Sequence, residues 1–472
     1  MLPRRVSFET CWPPPATETD ARRQNIVEIK HRKGTALPTQ EPVERALLVG
    51  VERPRENGDW SVGDSLDELA QLAETAGVRV SGRAIQRLRA PNPAYYLGRG
   101  KVEELIELKG ELRYGLVIFD EELSPTQQRN LEDALGVRVI DRSALILHIF
   151  GRRAQTREGR LQVELAQLEY ELPRLAGQWT HLERQAGATQ TRGGPGETQL
   201  EVDRRRARQR IAEVKAEIEK VRRHRMLYRE RREAAGVPVV ALVGYTNAGK
   251  STLLNALTRA GVASEDKLFA TLDPTTRQMA LPSGQHVLLT DTVGFIQKLP
   301  PTLIAAFRAT LEELNSADLL LHVIDVTHPK GYEQGQTVLK ILGELGLSEV
   351  PIVTAMNKID RLSGEGAELA SAAGLPAGAR QMLAELANLY PNAVAISAER
   401  AWGLDTLSAK VEAILARQWL DVTVKLPYAA DDLIQLFRQR ARVTDEQFGA
   451  DTAVLHGQLP KRFLPAFERH LT

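Results

Sequence analysis

The chain has 472 residues, of which 43% are hydrophobic and 26% are charged, and its formal net charge is +1. At roughly 150 residues per domain, this length predicts about three domains with apolar cores. The near-neutral charge excludes a uniformly basic nucleic-acid-binding chain, and the single cysteine, Cys11, excludes an intrachain disulfide or a cysteine metal cluster and favours a reducing compartment.

Residues 1–44 mix proline, threonine and charged residues without periodicity, and we expect a disordered extension there. This segment lacks the apolar stretch of a secretory signal, and no apolar run in the chain reaches the roughly 20 residues of a membrane span. The sequence therefore predicts a cytoplasmic protein without a membrane span, and nothing in it suggests more than a monomer.

The segment 45–153 alternates between strand-like and helix-like patterns. The strand-like apolar runs are 46–51, 78–83, 115–123 and 137–143. One predicted helix ends at Gly77, and another has Ser124 as its cap, Pro125 at its first position and Gly136 at its end. This alternation predicts a small parallel α/β domain.

The segment 154–235 has a helical period. Leucines spaced by three and four residues predict one helix, which Pro173 kinks or breaks. These leucines are Leu161, Leu165, Leu168, Leu172 and Leu175. After a glycine-rich loop, Thr198 and Glu201 form a capping-box pattern that predicts the start of a second amphipathic helix. Two such helices predict an antiparallel hairpin.

The second of these helices is basic. Residues 201–235 contain thirteen Lys or Arg and seven Asp or Glu. A solvated helix face accounts for a charge run of this kind, but the adjacent glycine-rich loop with Arg192 shifts the interpretation toward a nucleic-acid phosphate backbone. The candidate contacts are Arg192, Arg204, Arg205 and Arg206.

The segment 237–418 begins with an apolar strand that runs into Gly244-x-x-x-x-Gly249-Lys250-Ser251 and then into a helix. The glycines let successive backbone N–H groups wrap around a phosphate, and the helix N-terminus adds its positive dipole. Lys250 reaches the β- and γ-phosphates, and the Ser251 hydroxyl can ligate Mg²⁺. The pattern predicts a P-loop nucleotide-binding domain with a doubly wound sheet.

The base is predicted from a second motif, Asn357-Lys358-x-Asp360, at the end of another apolar run. The Asp360 carboxylate matches the N1–H and N2 amino donors of guanine, which adenine lacks. Asn357 can address N7 and tie loops together, and the Lys358 stem can pack on the base plane. Later in the chain, the backbone of Ser397–Ala398 can bond the guanine carbonyl. The sequence therefore predicts GTP and GDP as ligands.

A third stretch, "TDTVGF", predicts the sensor of the γ-phosphate. Asp291 ends an apolar strand and is expected to hold Mg²⁺ through a water, and the Gly294 N–H can contact the γ-phosphate. The Mg²⁺-binding threonine must lie between 260 and 280, where Thr271, Thr275 and Thr276 are candidates. Thr271 is favoured because the later pair lies too close to the strand that leads to Asp291.

Phe295 occupies the position where many nucleotide hydrolases carry a glutamine that orients the attacking water. The missing amide predicts slow intrinsic hydrolysis that a partner or cation must complete. Asn247 in the P-loop is a candidate ligand for K⁺ between the α- and γ-phosphates. The alternative, that Asn247 only shapes the loop, stays open.

The segment 420–472 predicts a small α+β C-terminal domain, with strands in "VTVKLPY" and "TAVLHGQLP", a helix in "ADDLIQLFRQRA" and a last helical turn or two in "FLPAFERHL". Together, these segments predict a multidomain α/β protein with a helical hairpin arm.

From about residue 45 to the end, the chain resembles the HflX-type ribosome-associated GTPases, within the translation-factor-like class. The stretches that carry the resemblance are "AYYLGRGKVEEL", "FDEELSPTQQRNLE", "VRVIDRSALILHIFGRRAQTREGRLQVELAQLEY", "TRGGPGETQLEVDRRR", "GYTNAGKSTLLNALT", "LFATLDPTTR", "DTVGFIQKLP" and "MNKID". Phe295 matches the family pattern.

The resemblance implies which residues surround GTP. These are Gly244, Tyr245, Thr246, Asn247, Ala248, Gly249, Lys250, Ser251, Thr252, Phe269, Ala270, Thr271, Leu272, Asp273, Asp291, Thr292, Val293, Gly294, Asn357, Lys358, Ile359, Asp360, Ser397, Ala398 and Glu399. Ser251 and Thr271 are the implied Mg²⁺ ligands, with Asp291 acting through water. The expected catalytic residues are Asn247, Lys250, Thr271 and Gly294.

The resemblance also implies a partner and a role. It implies binding to the large ribosomal subunit and its rRNA, GTP hydrolysis stimulated there, and ribosome dissociation or rescue. Some relatives use ATP at the N-terminal domain, where "YLGRGK" (96–101) is either a phosphate loop or a plain turn that opens a helix. The rival interpretation is an RNA-binding scaffold that holds GTP without turnover. A tRNA-modifying GTPase is disfavoured because such enzymes usually carry a C-terminal cysteine.

Overall fold

A computed structural model of the chain describes residues 44–53, 60–175, 195–234, 237–258, 268, 269, 271, 274–298, 314–363, 374–417 and 419–472. The predictions for residues 1–43, for Arg192 and the glycine-rich loop, and for Ala270, Leu272 and Asp273 lie outside these residues. Within the described part of the chain, no helix combines the length and the apolar character needed to cross a membrane.

The chain separates into two compact units, and neither follows the sequence continuously. One unit contains the residues before 154 together with those from 170 to 203, and the other contains residues 154–169 together with 204–472. Each unit is described by itself.

The first unit is built on a four-stranded parallel sheet in the order β2-β1-β3-β4. The strands are β1 (Arg45–Glu52), β2 (Arg79–Arg87), β3 (Leu116–Phe119) and β4 (Arg138–Asp141), and the helices are α1 (Val62–Thr75), α2 (Arg99–Leu112), α3 (Pro125–Leu135) and α4 (Arg142–Arg153). Strand β1 is buried along almost its whole length, because helices cover both faces of a parallel sheet. The predicted parallel α/β architecture is confirmed.

The helix boundaries in this unit follow from local capping chemistry. Ser124 accepts a hydrogen bond from the Gln127 N–H, Pro125 opens α3, and Gly136 ends it at φ 61°. Because this φ is left-handed, glycine fits there without steric cost. After α1, Gly77 takes the same role at φ 84°. The predicted ends of both helices are confirmed.

A helical hairpin follows, formed by α5 (Arg157–Glu171) and α6 (Pro195–Ala234). Its apolar contact joins Leu161 and Leu165 of α5 to Val214 of α6. Glu158, early in α5, pairs with Arg225, late in α6, whereas Glu164, later in α5, pairs with Arg210, earlier in α6. The predicted antiparallel hairpin is therefore confirmed for the described residues.

One detail of the hairpin prediction was wrong. The structure starts α6 at Pro195, so Thr198 lies inside the helix and does not cap it. Proline suits the first turn because its fixed φ is helical and its missing N–H would have no partner there. The break at Pro173 agrees with the prediction, since α5 ends at Glu171 and a turn follows.

The P-loop domain contains a six-stranded sheet in the order β10-β9-β8-β5-β7-β6, in which only β6 is antiparallel. The strands are β5 (Val239–Gly244), β6 (Thr275–Ala280), β7 (His286–Asp291), β8 (Leu319–Asp325), β9 (Ile352–Asn357) and β10 (Val394–Ala395). The described α-helices are α7 (Lys250–Thr258), α8 (Gly331–Glu344), α9 (Ala377–Leu389) and α10 (Leu404–Ala416). The order reverses between β5 and β7, and such reversals place ligands at the carboxyl edge of a sheet.

The C-terminal part is an antiparallel three-stranded sheet in the order β11-β13-β12, packed against a helix. Its elements are β11 (Trp419–Pro427), α11 (Asp431–Arg440), β12 (Arg442–Phe448), β13 (Thr452–Pro460) and the short α12 (Leu464–Phe467). Phe437 and Phe467 meet edge to face in the core, with ring centroids 5.5 Å apart. The α+β class is as predicted, but the sequence reading missed β12.

Candidate active site

The P-loop lies at the carboxyl end of β5, where two glycines permit close approaches. A Cβ on Gly244 would meet the Val323 carbonyl oxygen at 2.4 Å, and a Cβ on Gly249 would meet Asn357 Nδ2 at 2.3 Å. Gly249 also has φ 94°, a conformation that side chains disfavour. The loop therefore packs directly against the ends of β8 and β9, and glycine is required at both positions.

Lys250 is folded back into this loop. Its Nζ donates hydrogen bonds to the carbonyl oxygens of Gly244 at 3.2 Å and Tyr245 at 2.9 Å. Burial disfavours the charged ammonium and lowers its pKa to about 8, although the nearby Asp291 carboxylate acts in the opposite direction. A phosphate placed against Lys250 would supply the missing negative charge.

Three oxygen-bearing side chains converge beside the P-loop. Ser251 Oγ lies 2.7 Å from Thr271 Oγ1 and donates to Asp291 Oδ2 at 2.6 Å. Burial raises the pKa of Asp291, against the opposing effects of Lys250 and the two hydroxyls. The other carboxylate oxygen, Oδ1, is buried and accepts no hydrogen bond from the described residues. Oxygen donors of this type, with one unused carboxylate oxygen, fit Mg²⁺.

The other two threonine candidates for this site belong to β6. The hydroxyl of Thr276 is 2.9 Å from that of Thr290 on the neighbouring strand, and Thr275 pairs with Asp291 in the sheet register. Among the three candidate threonines, Thr271 is the one whose hydroxyl lies beside Ser251.

The segment after Asp291 is joined to the P-loop by backbone pairing. The Thr246 N–H donates to the Phe295 carbonyl at 2.8 Å, and the Phe295 N–H donates to the Gly244 carbonyl at 3.1 Å. Between these residues, Gly294 lies so close that a Cβ on it would be 2.9 Å from Thr246 Cα and 3.0 Å from Lys250 Nζ. Gly294 is thus held directly over the phosphate-binding loop.

The side chain of Phe295 is buried, with 4% of its surface exposed. It lies in the interior, and the backbone of Phe295 makes the two hydrogen bonds to the P-loop. Asn247, in contrast, has an exposed side chain and a left-handed backbone with φ 61°. Asparagine tolerates this conformation better than most residues, so its presence in the loop has a conformational reason.

The guanine-recognition motif is connected to the P-loop through Asn357. Its Nδ2 donates to the Ala248 carbonyl at 2.9 Å, and its Oδ1 accepts from the Ala398 N–H at 2.9 Å. The Ile359 N–H donates to the Ile396 carbonyl at 3.3 Å. Asn357 therefore ties three loops together, as the sequence indicated.

Local hydrogen bonds hold the Ser397–Glu399 stretch in place. The Ser397 N–H and carbonyl pair with Trp402, and its hydroxyl accepts from the Arg400 N–H at 3.0 Å. Glu399 is exposed and lies 3.8 Å from Arg361. The Ala398 N–H, one expected donor to guanine, already donates to Asn357.

Three family descriptions match the chain: "GTP-binding GTPase N-terminal" over residues 63–151, "GTP-binding GTPase Middle Region" over 153–232 and "50S ribosome-binding GTPase" over 239–358. "GTPase HflX" of Caldanaerobacter subterraneus subsp. tengcongensis is 48% identical over 86% of this chain and 88% of that protein. The chain belongs to the HflX GTPase family.

The chain is also similar to other proteins. "GTPase HflX" of Escherichia coli K12 is 49% identical over 63% of this chain and 70% of that protein. A solved structure of a GTP-binding protein from Sulfolobus solfataricus in complex with GDP has a TM-score of 0.41 and 25% identity, covering 79% of this chain and 99% of that chain. As an HflX-family member, the chain is a GTP-binding and GTP-hydrolysing enzyme with a ribosome-binding GTPase domain.

The sequence reading missed two contacts of this HflX-family site. Asp325, at the end of β8, forms an ion pair of 2.7 Å with Lys358. The hydroxyl of Tyr245 accepts a hydrogen bond of 2.8 Å from the Gln297 N–H, just beyond Phe295. An acidic residue at the carboxyl end of a parallel strand was a usable signal for Asp325. No sequence signal links Tyr245 to Gln297.

The basic helix α6 differs in charge pairing along its length. Ion pairs with glutamates engage Arg210, Lys215, Arg222, Arg223 and Arg225. Nearer the N-terminus of the helix, Arg204 is half-buried and Arg205 is exposed, and neither forms an ion pair within the described part of the chain. Arg204 and Arg205 thus add positive charge without a carboxylate partner at the end of α6 that follows the glycine-rich loop.

Proposed function

We propose that this enzyme is a GTP-dependent switch that binds the large ribosomal subunit and dissociates or rescues ribosomes. GTP hydrolysis is slow alone and stimulated on the ribosome. The observation that carries this proposal is the pairing of an assembled phosphate site with a buried Phe295. Such a site binds and senses the γ-phosphate but supplies no amide at position 295 to orient water.

The proposed role of each site residue follows from its position. Lys250 and the P-loop N–H groups bind the phosphates, and the Gly294 N–H reports the γ-phosphate to the segment that follows it. Ser251 and Thr271 would hold Mg²⁺, and Asp291 would act on the ion through a water. When bound, Mg²⁺ neutralises charge on the β- and γ-phosphates. Asp360 selects guanine, with Lys358 and Ser397–Glu399 around the base.

Asn247 is proposed to bind K⁺ beside the phosphates. Its exposed side chain supports this assignment, because the amide oxygen is accessible to a cation. In this position a cation adds positive charge next to the transferring phosphoryl group, where other GTPases use an arginine.

For the ribosome contact, we propose Arg192, Arg204, Arg205 and Arg206 as rRNA-binding residues. The support is that Arg204 and Arg205 form no ion pair with any residue that the structure describes, since a cation without a carboxylate partner is available to a phosphate. For the N-terminal domain, we favour a turn over an ATP site at 96–101. The Gly98 N–H donates to Gln86 Oε1 at 2.9 Å, and Lys101 pairs with Glu104.

We further propose that the protein acts in the cytoplasm as a monomer, with five segments: an extension (1–44), an α/β domain (45–153), a hairpin (154–235), a G domain (237–418) and a C-terminal domain (420–472). The four-stranded and six-stranded sheets each fall inside one of these segments, and the three-stranded sheet falls inside the last one except for Trp419, the first residue of β11.

The decisive experiment measures single-turnover GTP hydrolysis in K⁺ buffer with and without isolated large subunits. Acceleration by the subunits is expected. Hydrolysis that stays equally slow in both conditions would instead favour a GTP-holding RNA scaffold. Ribosome splitting is then followed by light scattering with GTP and with a nonhydrolysable analogue.

The rRNA contact is tested by replacing Arg204, Arg205 and Arg206 with alanine. Three lost phosphate contacts should reduce the slope of log affinity against log salt by about 2 to 3. The matched control replaces Arg210, Lys215 and Arg223, which lie on the same helix but are paired with glutamates. An equal loss in both variants would mean that general helix charge, not the loop side of α6, binds the subunit.

A further inference from the structure

An ion pair joins the ends of two neighbouring strands beside the proposed guanine pocket. Lys358 Nζ lies 2.7 Å from Asp325 Oδ2, and the two side chains are only 14% and 13% exposed. Strands β8 and β9 are parallel, with Asp325 in register with Asn357. The pair therefore lies at the same sheet edge as the base-recognition motif.

Thr327 holds the carboxylate of Asp325 independently of Lys358. Its Oδ1 accepts hydrogen bonds from the Thr327 N–H at 2.9 Å and the Thr327 hydroxyl at 2.6 Å. Burial raises the pKa of Asp325, but the charge of Lys358 and these hydrogen bonds outweigh it and lower the pKa overall. Asp325 thus remains a carboxylate, with Oδ2 directed to the ammonium.

The backbone of Lys358 needs such support. Its φ is 67°, in the left-handed region, which costs a residue with a side chain roughly 1–2 kcal/mol. Strained conformations of this kind persist where the surroundings hold them. One neighbour, Asn357, is held by Ala248 and Ala398, and the Lys358 side chain is held by Asp325.

We propose that Asp325 is a positioning residue for guanine binding. By fixing the ammonium of Lys358 at the end of β8, it holds the alkyl stem of Lys358 in place against the base. It also keeps that positive charge from neutralising Asp360, the carboxylate that selects guanine. This inference rests on the guanine pocket proposed above.

The test compares the binding of GTP with that of inorganic tripolyphosphate, which uses only the phosphate half of the site. Calorimetry on the full chain measures both ligands with Mg²⁺ present. Asp325→Asn retains the shape and the acceptor for Thr327 but removes the charge. We expect it to weaken GTP binding about tenfold, as for other coupled pairs, and to leave tripolyphosphate binding unchanged.

A double-mutant cycle separates positioning from a general structural role. Lys358→Ala should weaken GTP binding at least as much as Asp325→Asn, and the double variant should be no weaker than Lys358→Ala alone. Glu333→Gln is the matched control, because it removes a carboxylate that faces Lys330 on α8, and it should change neither affinity.

Each other outcome overturns the inference in a recognisable way. If Lys358→Ala weakens GTP binding but Asp325→Asn does not, the pocket stands and the role of Asp325 fails. If neither variant changes GTP binding, the pocket assignment fails as well. Equal weakening of GTP and tripolyphosphate would mean that Asp325 acts through the fold.

A second variant tests the same proposal if Asp325→Asn does not fold. Thr327→Val removes one of the two hydrogen bonds to Oδ1 and leaves the ion pair in place. It should weaken GTP binding by about two- to threefold, again without an effect on tripolyphosphate. Unchanged GTP binding in a folded Thr327→Val protein would contradict the proposed anchoring.

Discussion

Replacing Asn357 with alanine should lower both the stability of the G domain and its affinity for GTP. The side chain is 2% exposed and makes two hydrogen bonds of 2.9 Å, to the Ala248 carbonyl and from the Ala398 N–H. Both backbone partners belong to buried residues. Each buried polar group left without a partner costs about 1–3 kcal/mol, so the expected loss of stability is about 2–6 kcal/mol.

A second variant and a control sharpen this prediction. Asn357→Asp keeps an acceptor for the Ala398 N–H but places a buried carboxylate oxygen against the Ala248 carbonyl, so its stability should fall at least as far as that of Asn357→Ala. The control is Asn392→Gly, which removes an amide hydrogen bond of 2.8 Å to the Ile352 carbonyl at the opposite end of β9. Glycine accepts the left-handed φ of 49° found at this position.

Hydrogen exchange of the β5, β8 and β9 amides measures the opening free energy of this sheet, and calorimetry measures GTP affinity. Asn357→Ala should reduce both, with at least a tenfold loss of affinity for GTP, whereas Asn392→Gly should reduce only the opening free energy. A loss below about 1 kcal/mol in Asn357→Ala, together with unchanged GTP affinity, would refute the idea that this amide holds the loops together.

Three further predictions concern base choice, cation use and acid stability. Asp360→Asn should shift preference from GTP to xanthosine triphosphate, because the amide N–H pairs with the xanthine carbonyl; competition binding with both nucleotides checks this, and retained GTP preference contradicts the pocket. Exchanging K⁺ for Na⁺ should slow single-turnover hydrolysis, and Asn247→Ala should abolish the difference; equal rates in the two salts would remove the cation role. His322 is fully buried, and burial, together with the charge of Lys250, lowers its pKa from 6.5 to about 3. The folded state therefore favours the neutral imidazole. The contribution of this group to the free energy of unfolding is complete above about pH 6.5 and is lost as the pH falls toward 3. At pH 5 the free energy of unfolding should be lower by about 2 kcal/mol for this reason. Hydrogen exchange at pH 8 and pH 5 measures the decrease, and in His322→Leu the decrease should be smaller by this amount.

The parts of this fold that the sequence predicted are those decided by local chemistry. Ser124, Pro125 and Gly136 set the ends of a helix through their own side chains and backbone angles, so the pattern alone was sufficient. The P-loop motif is similar, because its glycines, Lys250 and Ser251 lie within one short stretch of the chain between a strand and a helix. These features can be predicted from neighbouring residues alone, without the contacts to distant parts of the chain.

The parts that it missed depend on tertiary context. Strand β12 reads RVTDEQF, with little apolar alternation, and it forms because β13 offers a pairing edge. The start of α6 was placed at a capping pattern, but Pro195 opened the helix earlier. The Asp325–Lys358 pair joins residues 33 positions apart through the register of β8 and β9, which no local pattern encodes.

The interior position of Phe295 has a consequence for attempts to engineer a faster enzyme. Restoring the glutamine that other GTPases carry would put an amide into an apolar environment, where it would need two or three new partners. Phe295→Gln should therefore destabilise the protein before it could speed the reaction. A faster variant would therefore have to be sought at other positions of the site.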